Sequence, residues 1–369
     1  MFLPVIKPVF RLAALILSLI LYALTILAAY GGRFDTDFFS FPAIMVLALP
    51  YLAIATLIVT ILWFVFGKFF AGGLGVLAII ASWGPISSVA PLSFSKDATP
   101  GAKTFTVMSY NLIHCRDLEG KSDGRNRTID YIINSNADIV CVQELIKVDS
   151  TEIPDFTEGQ VKELRRTYPY WAGDPKLDMK VFSKYPVVYE DASDYIDGSF
   201  DRKRYTFYKV NIGGHKLNLI TMHLSSFNLS AEERKVVTEI NSVNAAKKSM
   251  NQFRGDIREK LVKGFKRRKS DVQILRTALA HMKGATIICG DFNDVPESYA
   301  YRLLKGDDLK DAYVETGFGP MITYNRHAFW FHLDQMFYRG PLKALSFERG
   351  DIRTSDHYPI MCTFEFTDE

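Results

Sequence analysis

The sequence predicts an α/β sandwich preceded by a bundle of about three membrane-spanning helices. Three observations carry this. The 369 residues divide sharply by charge: residues 1–100 hold five basic and three acidic side chains, whereas residues 101–369 hold 39 and 38. The first part contains long apolar runs at residues 9–30, 41–66 and 69–90. In the second part, short β-rich runs alternate with turns and helices, as expected of two packed sheets flanked by helices. This partition excludes a single small domain and argues against a purely cytosolic protein. Four cysteines in 369 residues are too few for a disulfide-stapled secreted module.

Residues 1–94 form the membrane region. The first run is apolar except for Arg11 at its edge, and the other two carry no charge. Twenty-two residues of helix reach about 33 Å, enough for a hydrocarbon core of roughly 30 Å. Helices buried in a soluble core usually keep a polar stripe, and these do not. A cleaved signal peptide at the first run would still leave two apolar runs to hold the product in the membrane. The third run is the loosest, with Gly72, Gly73, Gly75 and Gly84-Pro85 inside it. Lys7, Arg11 and Lys68 fall on one side of three spans, and Arg33, diluted by Asp35 and Asp37, on the other. The positive-inside bias then puts the N-terminus in the cytoplasm and the large domain on the extracytoplasmic side. Cys141, Cys289 and Cys362 lie in apolar strand-like runs and read as buried thiols, which decide no compartment.

Residues 95–103 are a polar Pro/Gly linker, and residues 104–369 form the soluble domain. Strands are expected at 104–111, 139–144, 180–182, 205–212, 216–223, 285–291, 332–338 and 358–366, and helices at 127–136 and 298–304. Residues 228–283 differ. They open with Ser230 and Glu233 at capping-box spacing and continue as helix-forming sequence interrupted at Gly255 and Gly264. This insertion has 14 basic and 6 acidic residues, with a cluster at Lys263, Lys266, Arg267, Arg268 and Lys269. The rest of the soluble domain has 25 basic and 32 acidic. A solvated helical face is the first expectation for the cluster, contact with anionic lipid headgroups the second, and nucleic-acid binding the third.

Five expected strand ends finish in side chains suited to a hard cation and a phosphate. They are Asn111, Glu144, His223, Asp291-x-Asn293 and Asp356-His357; a sixth candidate, Asp334, is expected in mid-strand. Any one of them is ordinary turn chemistry. All six in one chain are not.

The ordered pieces MSYN (108–111), VQE (142–144), FSKYPV (182–187), TMHL (221–224), GDFND (290–294), LDQMF (333–337) and SDHYPI (355–360) resemble the endonuclease/exonuclease/phosphatase superfamily. With its apolar front end and helical insertion, the chain looks most like the membrane-anchored bacterial branch of that superfamily. The resemblance implies a four-layer α/β sandwich with the site at one edge of the paired sheets. It also implies a phosphoesterase, most simply a phosphodiesterase, acting on nucleic acid, a phospholipid or a small phosphodiester. By this likeness Glu144 and Asn111 hold Mg²⁺, with Mn²⁺ as a substitute; hard cations favour such oxygen ligands. Asp291 and Asn293 orient the attacking water, and Asp291 is a candidate to deprotonate it. His357, oriented by Asp334, is either the base or a cationic phosphate clamp. Asp356 is assigned metal-bound water or a second ion, and His223 a non-bridging phosphate oxygen.

Two departures stand out. Ile113 occupies a position where some nuclease branches carry a carboxylate, which weakens the case for a second metal. The arginine that the family places before the aspartate of LDQMF is Leu333 or His332 here, so the clamp around Asp334 differs. His114, His215, His281 and His327 read as surface or turn residues, Tyr299, Tyr301 and Arg302 as helix packing, and Arg202 and Arg204 as a solvated hairpin first and a contact to substrate phosphate second. The competing class is a catalytically silent membrane adaptor that docks a partner through the basic insertion; the complete polar set argues against it. The lipid bilayer is the expected partner of the front end, and no oligomeric state is indicated.

Overall fold

The computed structural model describes residues 3–118, 124–145, 157–196, 203–227, 247–326 and 329–367. The first apolar run is a helix, Leu3–Tyr30, and Pro8–Arg33 is long and apolar enough to cross a membrane. The other two runs, each expected as one span, are broken. Ser40–Val46 and Leu49–Val65 meet at 66°, and Phe69–Ala81 and Trp83–Val89 at 65°. Proline accounts for both breaks. Pro50 and Pro85 lack the N–H that would bond four residues back, and their rings crowd the carbonyls of Val46 and Ala81, where the preceding helices end. Among the described residues one helix therefore meets the length requirement alone, and the bent pairs meet it only if each counts as one span.

Residues 104–366 contribute two six-stranded mixed sheets. The first runs in the order Leu342–Arg349, Ile360–Phe366, Thr104–Asn111, Ile139–Gln143, Lys180–Ser183, Tyr170–Ala172. The second runs Val187–Glu190, Tyr205–Ile212, His215–His223, Thr286–Asp291, Asp334–Arg339, Lys310–Asp311. Strand alternation assigns the layers. Val107, Cys141, Leu219 and Ile287 face the other sheet and form the central core. Their neighbours Met108 and Val140 pack outward with Ile129, Ile132 and Leu164 of the helices Arg127–Asn134 and Glu158–Thr167. Ile220 and Ile288 pack outward with Leu275, Leu279 and Leu304 of Lys247–His281 and Tyr299–Lys305. The result is an α/β sandwich, helix–sheet–sheet–helix.

Several sequence expectations need correction. Helix Lys247–His281 runs through Gly255 and Gly264 without interruption. A glycine in a helix costs only about 1 kcal/mol. At Gly264 it also makes room: a Cβ there would press on the Phe227 ring. The Ser230/Glu233 capping box lies outside the described residues. Nor is the basic cluster simply a solvated face. Arg268 is fully buried, Lys269 pairs with Asp35 at 2.7 Å and Asp37 at 2.5 Å, and Lys266 lies 3.5 Å from Asp37. These pairs latch the insertion to the loop after the first helix. Ser88 adds a 2.8 Å bond to Glu297, and Gly32 lies so close to the Glu297 carbonyl that a Cβ would overlap it.

Candidate active site

The paired sheets bring the sequence candidates together at one edge. Thr104–Asn111 and Ile139–Gln143 run parallel, as do His215–His223 and Thr286–Asp291, so Asn111, Glu144, His223 and Asp291 all emerge at the same end. Asp334 is the first residue of its strand, not a mid-strand residue. In the antiparallel register it lies opposite Asp291, and Asp291 in turn lies opposite His223. The preceding segment pairs elsewhere, as the hairpin Tyr324–Arg326 with Phe329–Phe331, which is why the strand starts late. Beneath the edge, Gln143 donates to Thr221 across the sheets at 2.9 Å. Gly290 adopts φ +146°, and a Cβ there would collide with the Met222 carbonyl, so this strand can pair so closely only with glycine.

Asp291 is the hub. Its Oδ2 accepts from Asn111 Nδ2 at 3.1 Å and from Asn293 Nδ2 at 3.2 Å, and lies 3.5 Å from His357 Nε2 and 3.9 Å from His223 Nε2. Its Oδ1 accepts the Asn293 backbone N–H at 2.7 Å, closing a turn in which Asn293 takes φ +49°. Asn111 Nδ2 also donates to Glu144 Oε1 at 3.1 Å. Glu144 sits at φ +58°, an uncommon conformation for a residue of its kind, and follows directly on the strand end. His357 Nδ1 bonds Asp334 Oδ2 at 2.8 Å. Thr323 Oγ1 accepts from the Leu333 and Asp334 amides, and Ser355 Oγ donates to the Asn111 carbonyl, pinning both arms of the site.

Burial works against a charge on His357, but the Asp334 and Asp291 carboxylates outweigh it and raise the group to about 10. The imidazolium is therefore the form the site favours. His223 follows the same pattern: burial opposes its charge, and Asp178, Asp291 and Glu144 raise it.

Asp356 lines the same cavity, with its carboxylate 3.4 Å from Arg326. Sequence reasoning missed Asp178, which lies 3.8 Å from His223 Nδ1 in a polar stretch with no motif around it. His114 is exposed, as expected of a surface residue, and the left-handed turn Ile113–Cys115 also brings its Nε2 to 3.8 Å from Glu144, with its backbone N–H on the Glu144 carbonyl. Arg204 lines the cavity too, where a solvated hairpin was expected, while Arg202 and His327 lie outside the described residues. Neither residue at the family's arginine position supplies a charge. Leu333 is apolar, and His332 is buried against the Tyr313 ring with both ring nitrogens unpartnered.

The donor set fits a hard cation. Among the described residues Glu144 meets no lysine or arginine, only imidazoles at 3.7 and 3.8 Å and an amide, so its charge is left for a ligand. Asp291, Asp334 and His357 also cluster, with one ligand atom from each within 4.8 Å of the others. His357 Nδ1 is already committed to Asp334, so that trio reads better as a proton network.

The model of the Endonuclease/Exonuclease/phosphatase family matches residues 108–357. The chain belongs to this family. It is a metal-dependent hydrolase of phosphate esters. No curated protein matches the chain. Among solved structures it is similar to D. rerio TDP2 complexed with single strand DNA product, at 16% identity, covering 71% of this chain and 99% of that one, TM-score 0.46. The endonuclease/exonuclease/phosphatase from Beutenbergia cavernae DSM 12333 gives 16% identity, 72% of each chain and TM-score 0.43. That from Bacteroides vulgatus gives 14%, 72% of this chain and 99% of that one, and TM-score 0.43. Membership rests on the family match, which spans every sequence candidate from Asn111 to His357.

Proposed function

We propose that the chain is a membrane-anchored, Mg²⁺-dependent phosphodiesterase of the bacterial membrane-anchored branch, cleaving a P–O bond by attack of water. The observation that supports it most is the convergence of Asn111, Asn293, His223 and His357 on one carboxylate oxygen of Asp291, in the floor of a cavity that also contains Glu144. Glu144 and Asn111 would hold the ion, Mn²⁺ being a substitute. When bound, it supplies neutralisation of the phosphate and of charge developing on the leaving oxygen.

The protein's own groups divide the remaining work. Asp291, fixed by Asn293, orients a water and takes its proton as the O–P bond forms. His357 is held as an imidazolium by Asp334, so it donates to a phosphoryl oxygen; that leaves Asp291 as the base. His223, whose charged form Asp178, Asp291 and Glu144 favour against burial, donates to a second non-bridging oxygen. Asp356, paired with Arg326, orders water at the rim. Residues 1–94 anchor residues 104–369 through the 95–103 linker. The N-terminus is cytoplasmic and the catalytic domain extracytoplasmic, from the placement of Lys7, Arg11 and Lys68.

The test uses the full chain in lipid nanodiscs with bis(4-nitrophenyl) phosphate. Activity is expected with Mg²⁺ and lost with EDTA, and Asp291→Ala and His357→Ala each lower kcat at least ~10²-fold, since each removes a transition-state contact. Wild-type turnover in both variants would refute the assignment.

A further inference from the structure

The catalytic cavity is not enclosed by the soluble domain alone. It has a volume of about 1030 Å³, and one wall is built by the membrane helices. Ile44, Leu47, Ala48 and Tyr51, which flank the bend between Ser40–Val46 and Leu49–Val65, line the same space as Glu144, Asp291 and His357. Ile257 and Leu261 of the insertion helix line it as well. The two apolar walls are latched together by Lys269 and Lys266 on Asp35 and Asp37. The polar floor and the apolar walls therefore belong to one pocket.

We infer that this pocket takes a membrane-resident phosphate ester, with the phosphate on the catalytic floor and a hydrocarbon tail against Leu47, Ala48 and Leu261. This rests on the phosphodiesterase reading and specifies its substrate class. Residues 38–67 carry no charge, and side chains just beyond the bend, such as Ile54 at 57% exposed, present apolar surface outward. The bend thus sets the catalytic floor beside a stretch of chain suited to hydrocarbon. A tail moving from bilayer to this wall exchanges one apolar environment for another at little cost. A nucleic-acid strand would instead have to bring its phosphates and their hydration against a charge-free wall. Among the described residues the cationic lining is Arg204, Arg267 and Arg326, with the two site histidines, which suits one phosphate headgroup better than a polyanion.

The tail's contribution is measurable. Each buried methylene is worth about 0.8 kcal/mol, roughly fourfold in kcat/KM for a probe drawn from water. The full chain in nanodiscs is assayed with ethyl, butyl, hexyl and octyl 4-nitrophenyl phosphodiesters. We expect kcat/KM to rise at least ~10²-fold from ethyl to octyl. Ala48→Trp, which fills one wall, and Leu261→Trp, which fills the other, are each expected to cut the octyl-to-ethyl ratio at least ~10-fold. The ratio is internal to each preparation, so partial misfolding does not mimic the effect, and the wild-type series stands without either variant. A flat series in wild type, or a ratio unchanged in both variants, overturns the tail pocket while ethyl-probe cleavage lost in Asp291→Ala still upholds the phosphodiesterase. Cleavage of none of the probes overturns both.

Discussion

The ion pair between Arg268 and Asp294 invites the sharpest test of how the insertion supports the site. Arg268 is 0% and Asp294 2% exposed, and Nε donates to the carboxylate at 2.8 Å. Nη1 donates to the Ser225 carbonyl at 2.9 Å, and the guanidinium lies 4.1 Å above the Phe227 ring. Asp294 directly follows Asn293, so the pair ties the loop that carries Asn293 to the insertion helix. Arg268→Met keeps most of the volume but strands a buried carboxylate, which should cost about 3–5 kcal/mol. Asp294→Asn strands the guanidinium at a similar cost. The double variant removes both charges and should recover part of the loss, giving a coupling of about 2–3 kcal/mol. Burial already pushes the Asp294 carboxyl up despite its partner. Without Arg268 it rises further, above its unfolded value, so protonation relieves the variant: the loss should be largest at pH 8 and shrink as pH falls. The assay is urea unfolding of the full chain in micelles at pH 5 and pH 8, followed by exchange of the buried strand amides, with kcat measured in parallel. We expect kcat to fall ~10-fold or more as Asn293 shifts. A double variant that loses the sum of the single losses would show that the two charges do not act together.

Two further outcomes follow from single positions. Gly290→Ala puts a Cβ into the Met222 carbonyl at φ +146°, and should destabilise the domain by ~3 kcal/mol or more, read from the same unfolding curves. His332 is held down to about 4 by burial, against about 6.5 when unfolded, so the unfolded chain binds the extra proton. Its contribution is present above pH 6.5 and lost as pH falls through 4, up to ~3 kcal/mol; His332→Phe should flatten the acid limb of stability against pH, and an unchanged limb would refute this.

Much of the site was legible because its residues sit at strand ends. An apolar run of period two followed by a polar side chain places that side chain at a sheet edge, as at Asn111, Glu144, His223 and Asp291. Asp334 was placed in mid-strand because the apolar residues before it read as one run with those after it. The separate hairpin ending at Phe331 takes up part of that run. Asp178 and His114 carried no signal, since what brings them to His223 and Glu144 is loop geometry. The glycines in the insertion looked like breaks, because local propensity does not register the close approach of Phe227 that makes a small residue useful.

The phosphoesterase chemistry came from the likeness of the ordered motifs to a known family, whereas composition and periodicity alone determined that an apolar front end precedes an α/β domain and which polar side chains end its strands. Both depend on local covalent pattern: hydrophobic runs, strand alternation and ordered polar ends. Only the tertiary structure decided that the proline-bent pair Ser40–Val46 and Leu49–Val65 folds against the candidate site, that Lys269 is spent on Asp35 and Asp37, and that the bend after Val46 becomes a wall of that cavity. Those outcomes depend on contacts between residues up to more than two hundred positions apart, which shape and charge select only after the chain has packed.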